Sequence, residues 1–201
     1  MNSASMRSSL PMSNTSLKAV RTGADYVAME RQCLTGAFLL LAVIVALAFP
    51  YGASAAPAAT PTGMAPRLVR QLNAVRAENG LRPLRLNTQL ELAARAHSME
   101  MADVGYFAHR SADGGSFASR VRRWYAVRSR WEAGENLAWA TPEIASAELV
   151  QRWLASPEHR ANVVDPSWRD VGCSVVHAAA APGVFDDAPV TVITCDFGAR
   201  S

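Results

Sequence analysis

The sequences VGCSVVHA at residues 171–178 and VTVITCDF at residues 190–197 decide the fold class of this chain. Both are rich in β-branched residues and are bounded by Gly, Pro and Asp, which is typical of β-strands. Residues 179–189 then form their connection, so the pair predicts a β-hairpin. Because the helical patterns of the chain precede this hairpin, the order predicts an α+β domain whose helices pack on an antiparallel sheet.

Two helices are predicted upstream. The first covers residues 66–79, with a proline at its start and Gly80 after its end. The second follows Asn87, a good N-cap, and ends near residue 104. Apolar residues recur at helical spacing in both helices. His97 lies on the apolar stripe of the second helix, so we interpret it as a core histidine bonded to a neighbour rather than as a site residue.

The middle of the chain has weaker secondary-structure signals than the two helices and the hairpin. A short helix is predicted over residues 117–127, followed by a loop or irregular strand over residues 129–140. The sequence Thr141-Pro142-Glu143 has an N-cap, a proline at the first helical position and an acid, so it predicts the start of another helix. The sequence Ser156-Pro157-Glu158 repeats this signal and places His159 in the first turn of a further short helix.

The N-terminal region predicts export. Residues 34–49 are apolar and uncharged, but shorter than the ~20 residues that span a bilayer comfortably. Arg31 precedes this run and the small residues Ala53-Ser54-Ala55 follow it, so we predict a secretory signal cleaved after Ala55. An uncleaved membrane anchor is the alternative. The predicted organisation is a leader at residues 1–55, a linker at 56–65 and one domain at 66–201, in a secreted, periplasmic or extracellular protein.

Cysteine usage agrees with export. Cys33 would leave with the leader, which leaves Cys173 and Cys195 to form one disulfide in an oxidising compartment. Such a bond would stabilise the fold by roughly 3 kcal/mol. A zinc-binding cysteine pair is the alternative, but the chain has no C-x-x-C spacing to support it.

The charge of the predicted domain is nearly balanced. From Ala56 onward, 16 arginines face 15 acidic residues, although the whole chain carries +3. A local basic cluster contains Arg120, Arg122, Arg123, Arg128 and Arg130 beside Trp124 and Tyr125. A nucleic-acid or anionic-membrane patch is one interpretation, but the near balance favours a solvated loop. We therefore predict no nucleic-acid partner, and membrane contact only through an uncleaved signal.

Three short motifs carry titratable side chains that could form one site. They are Phe107-Ala108-His109, Gly134-Glu135-Asn136-Leu137 and Ser156-Pro157-Glu158-His159-Arg160. A helix N-terminus lowers the pKa of His159, and a neutral imidazole is what metal binding or general-base catalysis requires. Taken alone, each of these residues also fits a packing, surface or turn position.

In this order the motifs resemble the CAP superfamily, also called the SCP domain, which includes cysteine-rich secretory proteins, antigen 5 and plant pathogenesis-related proteins. Residues 72–76 and 80–84 resemble its opening, and Asp196-Phe197-Gly198 its end, so the resemblance covers about residues 66–198. Within this superfamily, the chain resembles the short bacterial members. The resemblance implies an α-β-α sandwich with a central antiparallel sheet between helices. It also implies a groove with two His and two Glu that binds zinc or another divalent cation in some members.

Three of the four groove positions carry over, at His109, Glu135 and His159. The fourth does not, because many eukaryotic members have Glu three residues after the tryptophan of the third helix, whereas that offset from Trp153 gives Ser156. Glu148 is a poor substitute, since its i,i+4 spacing to Arg152 predicts a surface ion pair. The resemblance therefore implies a weak, three-ligand metal site with an open position.

Three function classes stay open. The resemblance favours a secreted module that binds a small apolar ligand such as a lipid, or a cell-envelope or protein partner, and we expect this module to be a monomer. In the second class, the His and Glu residues only brace an interaction domain. The third is a hydrolase that uses His109 and His159 with a metal-bound water, or Glu135 as a base. It is the least favoured, because the chain has no H-E-x-x-H or G-x-S-x-G motif and we interpret Ser156 as an N-cap.

Overall fold

The computed structural model describes residues 17–21, 63–125 and 130–201. Five helices and five strands alternate along these residues and form an α+β fold, as predicted. The predicted cleavage site after Ala55 and the apolar run at residues 34–49 lie outside the described residues. In chain order, the elements are β1 (Leu17–Arg21), α1 (Met64–Glu78), β2 (Arg85–Leu86), α2 (Thr88–Val104), α3 (Phe117–Trp124), β3 (Trp131–Ala140), α4 (Ser146–Ala155), α5 (Pro157–Val163), β4 (Asp170–Ala181) and β5 (Ala188–Arg200).

The strands form one sheet in the order β1-β3-β5-β4-β2. Strands β3, β5 and β4 are antiparallel neighbours, which confirms the predicted sheet, while the two-residue strand β2 adds in parallel to β4. Strand β1 pairs with the first half of β3 and belongs to the predicted leader. Cleavage after Ala55 would remove β1 and leave β3 at the edge of the sheet.

The hairpin of β4 and β5 is longer than the sequence predicted, since β4 extends to Ala181 and β5 begins at Ala188. Cys173 lies directly opposite Cys195 in the ladder, with 4.1 Å between their Cα atoms, and the two form the predicted disulfide. A short 3₁₀ turn at Gly183–Phe185 occupies the connection. The bond therefore joins the two central strands at the core.

Helices α1 and α2 begin and end close to the predicted residues. The Asn87 side chain accepts hydrogen bonds from the backbone N–H groups of Gln89 and Leu90, which caps α2. Gly105 ends the same helix with a φ of 82°, in the left-handed region that favours glycine. Local sequence signals therefore set both ends of this helix.

The helices cover both faces of the sheet, so the α-β-α sandwich is confirmed. Helices α1, α4 and α5 pack on one face with the largest cluster of buried apolar residues. Helices α2 and α3 pack on the opposite face, where Leu90, Phe117 and Val121 meet Trp131 and Ala133. A Cβ atom at Gly172 would lie 2.0 Å from the backbone nitrogen of Glu91, so glycine allows α2 to lie against β4.

Two predictions for the middle of the chain need correction. Of the loop or irregular strand predicted for residues 129–140, the strand is right, but it is regular: residues 131–140 form the ten-residue strand β3, and each of them pairs with β5. The predicted helix start at Thr141 is wrong, since α4 begins at Ser146. The Thr141–Pro142 peptide bond is cis. The carbonyl of Pro142 instead accepts a hydrogen bond from Thr191 on β5, at 2.5 Å.

Of the helices in the described ranges, none combines the length and the apolar character that crossing a bilayer requires.

Candidate functional site

Glu135 is the centre of a buried polar cluster on the face of the sheet that carries α2 and α3. Its side chain is fully buried in the middle of β3. One carboxylate oxygen, Oε1, lies 2.7 Å from Nδ1 of His109, and the other, Oε2, lies 2.6 Å from a guanidinium nitrogen of Arg120. The structure thus brings two of the three predicted site residues into direct contact.

Arg120 joins this cluster from α3, although its sequence context suggested a solvated loop. Its side chain is 7% exposed and also donates to the His109 carbonyl and the Ser111 hydroxyl, at 3.2 and 3.0 Å. The interpretation as a solvated residue is therefore wrong for Arg120. Helical spacing could have revealed this, because Arg120 follows Phe117 by three residues and so lies on the buried stripe of α3.

The charge state of Glu135 follows from these partners. Burial disfavours its carboxylate, but the charge of Arg120 and the hydrogen bond from His109 hold its pKa below the ordinary value. The ionised carboxylate can only accept, so Nδ1 of His109 must donate the proton between them. In the neutral imidazole, the lone pair then lies on Nε2, which is buried and has no hydrogen-bond partner in the described part of the chain.

Asp196 is a second buried carboxyl group, and the sequence motifs did not mark it as a site residue. It lies opposite Glu135 in the β3–β5 ladder and is fully buried. Neither oxygen finds a donor among the described residues, and burial, followed by the charge of Glu135, raises its pKa well above the ordinary value. A protonated Asp196 can donate to Glu135, which two carboxylates could not do. Strand alternation places Asp196 on the same face as Val190 and Val192, which is the signal that could have found it.

Replacing Asp196 with asparagine should stabilise the domain at neutral pH by about 1 to 3 kcal/mol, because asparagine can donate to Glu135 without the proton uptake that the buried acid requires. The raised pKa of folded Asp196 means that its stabilising contribution is complete below the unfolded value, near 3.8, and is lost as pH rises through the folded pKa. The melting-temperature gain of the variant over wild type should therefore grow from about pH 4 to pH 7. A difference that does not change with pH would contradict the assignment.

His159 lies in the first turn of α5, as predicted, and is 1% exposed. Its Nδ1 lies 2.7 Å from Oγ of Ser156, and its ring stacks on that of Trp153. Burial, followed by the charge of His109, lowers its pKa, so the imidazole is neutral, as expected from the sequence. Because Nδ1 of His159 is hydrogen-bonded to Ser156, Nε2 is the ring nitrogen that remains for a ligand.

Two asparagines hold α5 against the strand that carries Glu135. Asn136 donates to the carbonyl of His159 at 3.0 Å. Asn162 donates to the Asn136 side chain at 2.9 Å and to the carbonyl of Glu135 at 3.1 Å. Both asparagines are buried, so these bonds fix His159 relative to Glu135 without direct contact between the two.

Two other interpretations from the sequence are confirmed. His97 is fully buried, and its Nε2 lies 2.8 Å from the carbonyl of Ala108, next to His109 in the chain. Glu148 pairs with Arg152 on the surface of α4, at 2.6 Å. Neither side chain belongs to the candidate site.

A three-ligand metal site does not fit this arrangement. Both oxygens of Glu135 already accept hydrogen bonds, from His109 and Arg120, and the side chain is fully buried, so the carboxylate is not open to a metal ion in this arrangement. Within residues 63–125 and 130–201, no group of three or more His, Cys, Asp or Glu side chains is placed to hold a metal ion. The donors that remain are two imidazole nitrogens, one oriented by Glu135 and one by Ser156. Metal binding by His109 and His159 stays a prediction.

A comparison with models of known protein families finds one family that matches this chain. The model of the family described as "CAP: Cysteine-rich secretory protein family" matches residues 69–197, which include His109, Glu135, His159 and the disulfide. The chain belongs to the CAP family. The uncharacterized protein YkwD of Bacillus subtilis strain 168 is 34% identical over 116 residues, which are 57% of this chain and 43% of YkwD.

Solved structures agree with this assignment. An extracellular protein containing an SCP domain, from Bacillus anthracis strain Ames, superposes with a TM-score of 0.51 at 25% identity, over 71% of this chain and 44% of that protein. An outer surface protein of Borrelia burgdorferi has the same fold, with a TM-score of 0.57 at 19% identity over 73% of this chain and all of that protein. This CAP chain spans less than half the length of YkwD and of the Bacillus anthracis protein.

Proposed function

We propose that this CAP chain is an exported binding module whose ligand-binding groups are the imidazoles of His109 and His159, and that the ligand is a divalent transition-metal ion such as Zn²⁺. The observation that carries the proposal is the buried Nε2 of His109. It has no hydrogen-bond partner in the described residues, while Glu135 holds Nδ1 of the same ring. Neutral imidazole is a preferred ligand of zinc, copper and nickel.

In this proposal, Glu135 orients a ligand and is not one itself. A carboxylate bonded to Nδ1 fixes the orientation of a histidine ring and raises the basicity of Nε2. Arg120 neutralises the buried carboxylate, so the cluster needs no metal to remain ionised. Two protein ligands bind more weakly than a complete set of four would, with solvent or a partner protein supplying the other ligands.

The test is a calorimetric titration of the purified protein with ZnCl₂. Wild type should take up one equivalent of zinc, and His109→Ala should abolish the uptake while keeping the circular dichroism of the folded domain. His177→Ala is the matched control, since His177 bonds Thr191 at the far end of the sheet and should leave uptake unchanged. Equal zinc uptake by wild type and His109→Ala would refute the site.

Export and a small apolar ligand remain predictions that one further measurement addresses. The disulfide and the similarity to an extracellular SCP protein support export. A native mass spectrum of the exported protein, purified without chelator, should show a chain that begins at Ala56, carries the disulfide and retains a metal adduct. A lipid-sized adduct would instead favour the apolar ligand, and a bare chain would favour a bracing role for the cluster.

A further inference from the structure

Ser156 occupies the N-cap position of α5, but its hydroxyl does not cap the helix. No backbone N–H of α5 donates to this side chain among the described residues. Its Oγ instead lies 2.7 Å from Nδ1 of His159 and donates to Oε2 of Glu158 at 3.2 Å. The N-cap interpretation is therefore right about the position of Ser156 and wrong about the role of its hydroxyl.

The protons available to these groups limit the possible directions of their hydrogen bonds. A serine hydroxyl has one proton, and the Glu158 carboxylate can only accept. If that proton goes to Glu158, Ser156 can only accept from His159, so Nδ1 must donate. The chain of bonds then runs from Nδ1–H of His159 to the Ser156 hydroxyl and on to the Glu158 carboxylate.

We propose that Ser156 and Glu158 are positioning residues that hold His159 as its Nδ1–H tautomer, with the Nε2 lone pair free for a ligand. This deepens the proposed function, because it gives His159 the same tautomer that Glu135 imposes on His109. The carboxylate of Glu135 binds the His109 ring directly. The His159 ring is bound by the hydroxyl of Ser156, which is itself hydrogen-bonded to the carboxylate of Glu158. Free histidine favours the opposite tautomer, so the protein must impose this one.

The surroundings of the hydrogen bonds from Ser156 to His159 and Glu158 suit a positioning role. His159 is buried and stacked on Trp153, so its ring has a fixed plane, and Asn136 holds its backbone carbonyl. Ser156 and Glu158 are partly exposed, which lets them change without opening the core. Groups that orient a metal ligand in this way typically change metal affinity 10- to 100-fold when they are removed.

The test reads the tautomer directly in metal-free protein. Long-range ¹H–¹⁵N correlation spectra of the ¹⁵N-labelled chain at about pH 8, above the ordinary histidine pKa, distinguish Nδ1–H from Nε2–H. Wild-type His159 should show the Nδ1–H pattern. Ser156→Ala should shift the His159 pattern toward the Nε2–H tautomer, whereas Ser156→Thr should retain the Nδ1–H pattern. Glu158→Gln should lower the fraction of the Nδ1–H tautomer. Glu148→Gln is the matched control, since Glu148 pairs with Arg152 instead.

An Nε2–H pattern in wild type would overturn the proposal, as would a Ser156→Ala spectrum identical to that of wild type. Zinc titration of the same variants keeps this proposal separate from the proposed function. A tenfold loss of zinc affinity in Ser156→Ala would support both. An Nδ1–H tautomer in a chain that takes up no zinc would uphold the positioning role and refute the metal site.

Discussion

Replacing Arg120 with methionine is expected to lower the free energy of unfolding by about 3 to 5 kcal/mol. The substitution keeps most of the side-chain volume, but it removes the guanidinium that lies 2.6 Å from the fully buried carboxylate of Glu135. That carboxylate would then be buried without its guanidinium partner, with His109 and Asp196 as its remaining polar neighbours. Its pKa should rise, because the charge of Arg120 is the main effect that holds it down.

Urea denaturation of wild type, Arg120→Met, and Arg123→Met measures this effect. Arg123 is exposed on the same helix, so its replacement should change stability by less than about 0.5 kcal/mol. Adding Glu135→Gln to Arg120→Met should recover part of the loss, since no buried charge remains. Equal stabilities for the two arginine variants would contradict the buried ion pair.

Replacing Cys173 and Cys195 together with alanine is expected to cost about 3 kcal/mol, the loop-closure value for a separation of this size. The two residues are 22 positions apart and directly opposite in the central strands. Their sulfur atoms also lie in the core, so the variant loses some packing as well. The unfolding midpoint in urea should fall accordingly.

A reducing agent supplies the control for this prediction. Dithiothreitol should lower the unfolding midpoint of wild type toward that of the double variant, and leave the double variant unchanged. An unchanged wild-type midpoint in fully reduced protein would show that the covalent link does not contribute to stability.

The sequence predicted the elements that carry their own local signals. Helix α2 has a capping asparagine at one end and a left-handed glycine at the other, and strands β4 and β5 are rich in β-branched residues. Strand β3 is predicted only as a loop or irregular strand, because the sequence WEAGENLAWA contains no β-branched residue. It becomes a strand because it pairs along its whole length with β5, so tertiary pairing overrides a weak local preference.

The same distinction between local signals and distant contacts applies to the residues of the candidate site. His109, Glu135 and His159 could be named because each lies in a short motif beside a turn or cap signal. Arg120 and Asp196 lie in no such motif, and their roles depend on contacts between α3, β3 and β5 that are distant in sequence. The sequence signals their burial only through their positions on the apolar stripe of a helix and the apolar face of a strand.

The buried bonds of the cluster also serve the fold, and this does not conflict with a binding role. The ion pair of Glu135 with Arg120 joins β3 to α3, and the two asparagines join β3 to α5. These bonds would hold His109 and His159 in place before any ligand arrives. Such preorganisation is what a site with few protein ligands requires.

We propose that His109 and His159 bind a metal ion through Nε2 while Glu135 stays bound to Arg120. The most direct measurement is an anomalous difference map at the zinc edge, from crystals of the purified protein grown with ZnCl₂. We expect a peak bonded to both Nε2 atoms, with the bond from Arg120 to Glu135 intact. A map with no peak between the two imidazoles, or with a zinc ion bound to the carboxylate of Glu135 in place of Arg120, would contradict the claim.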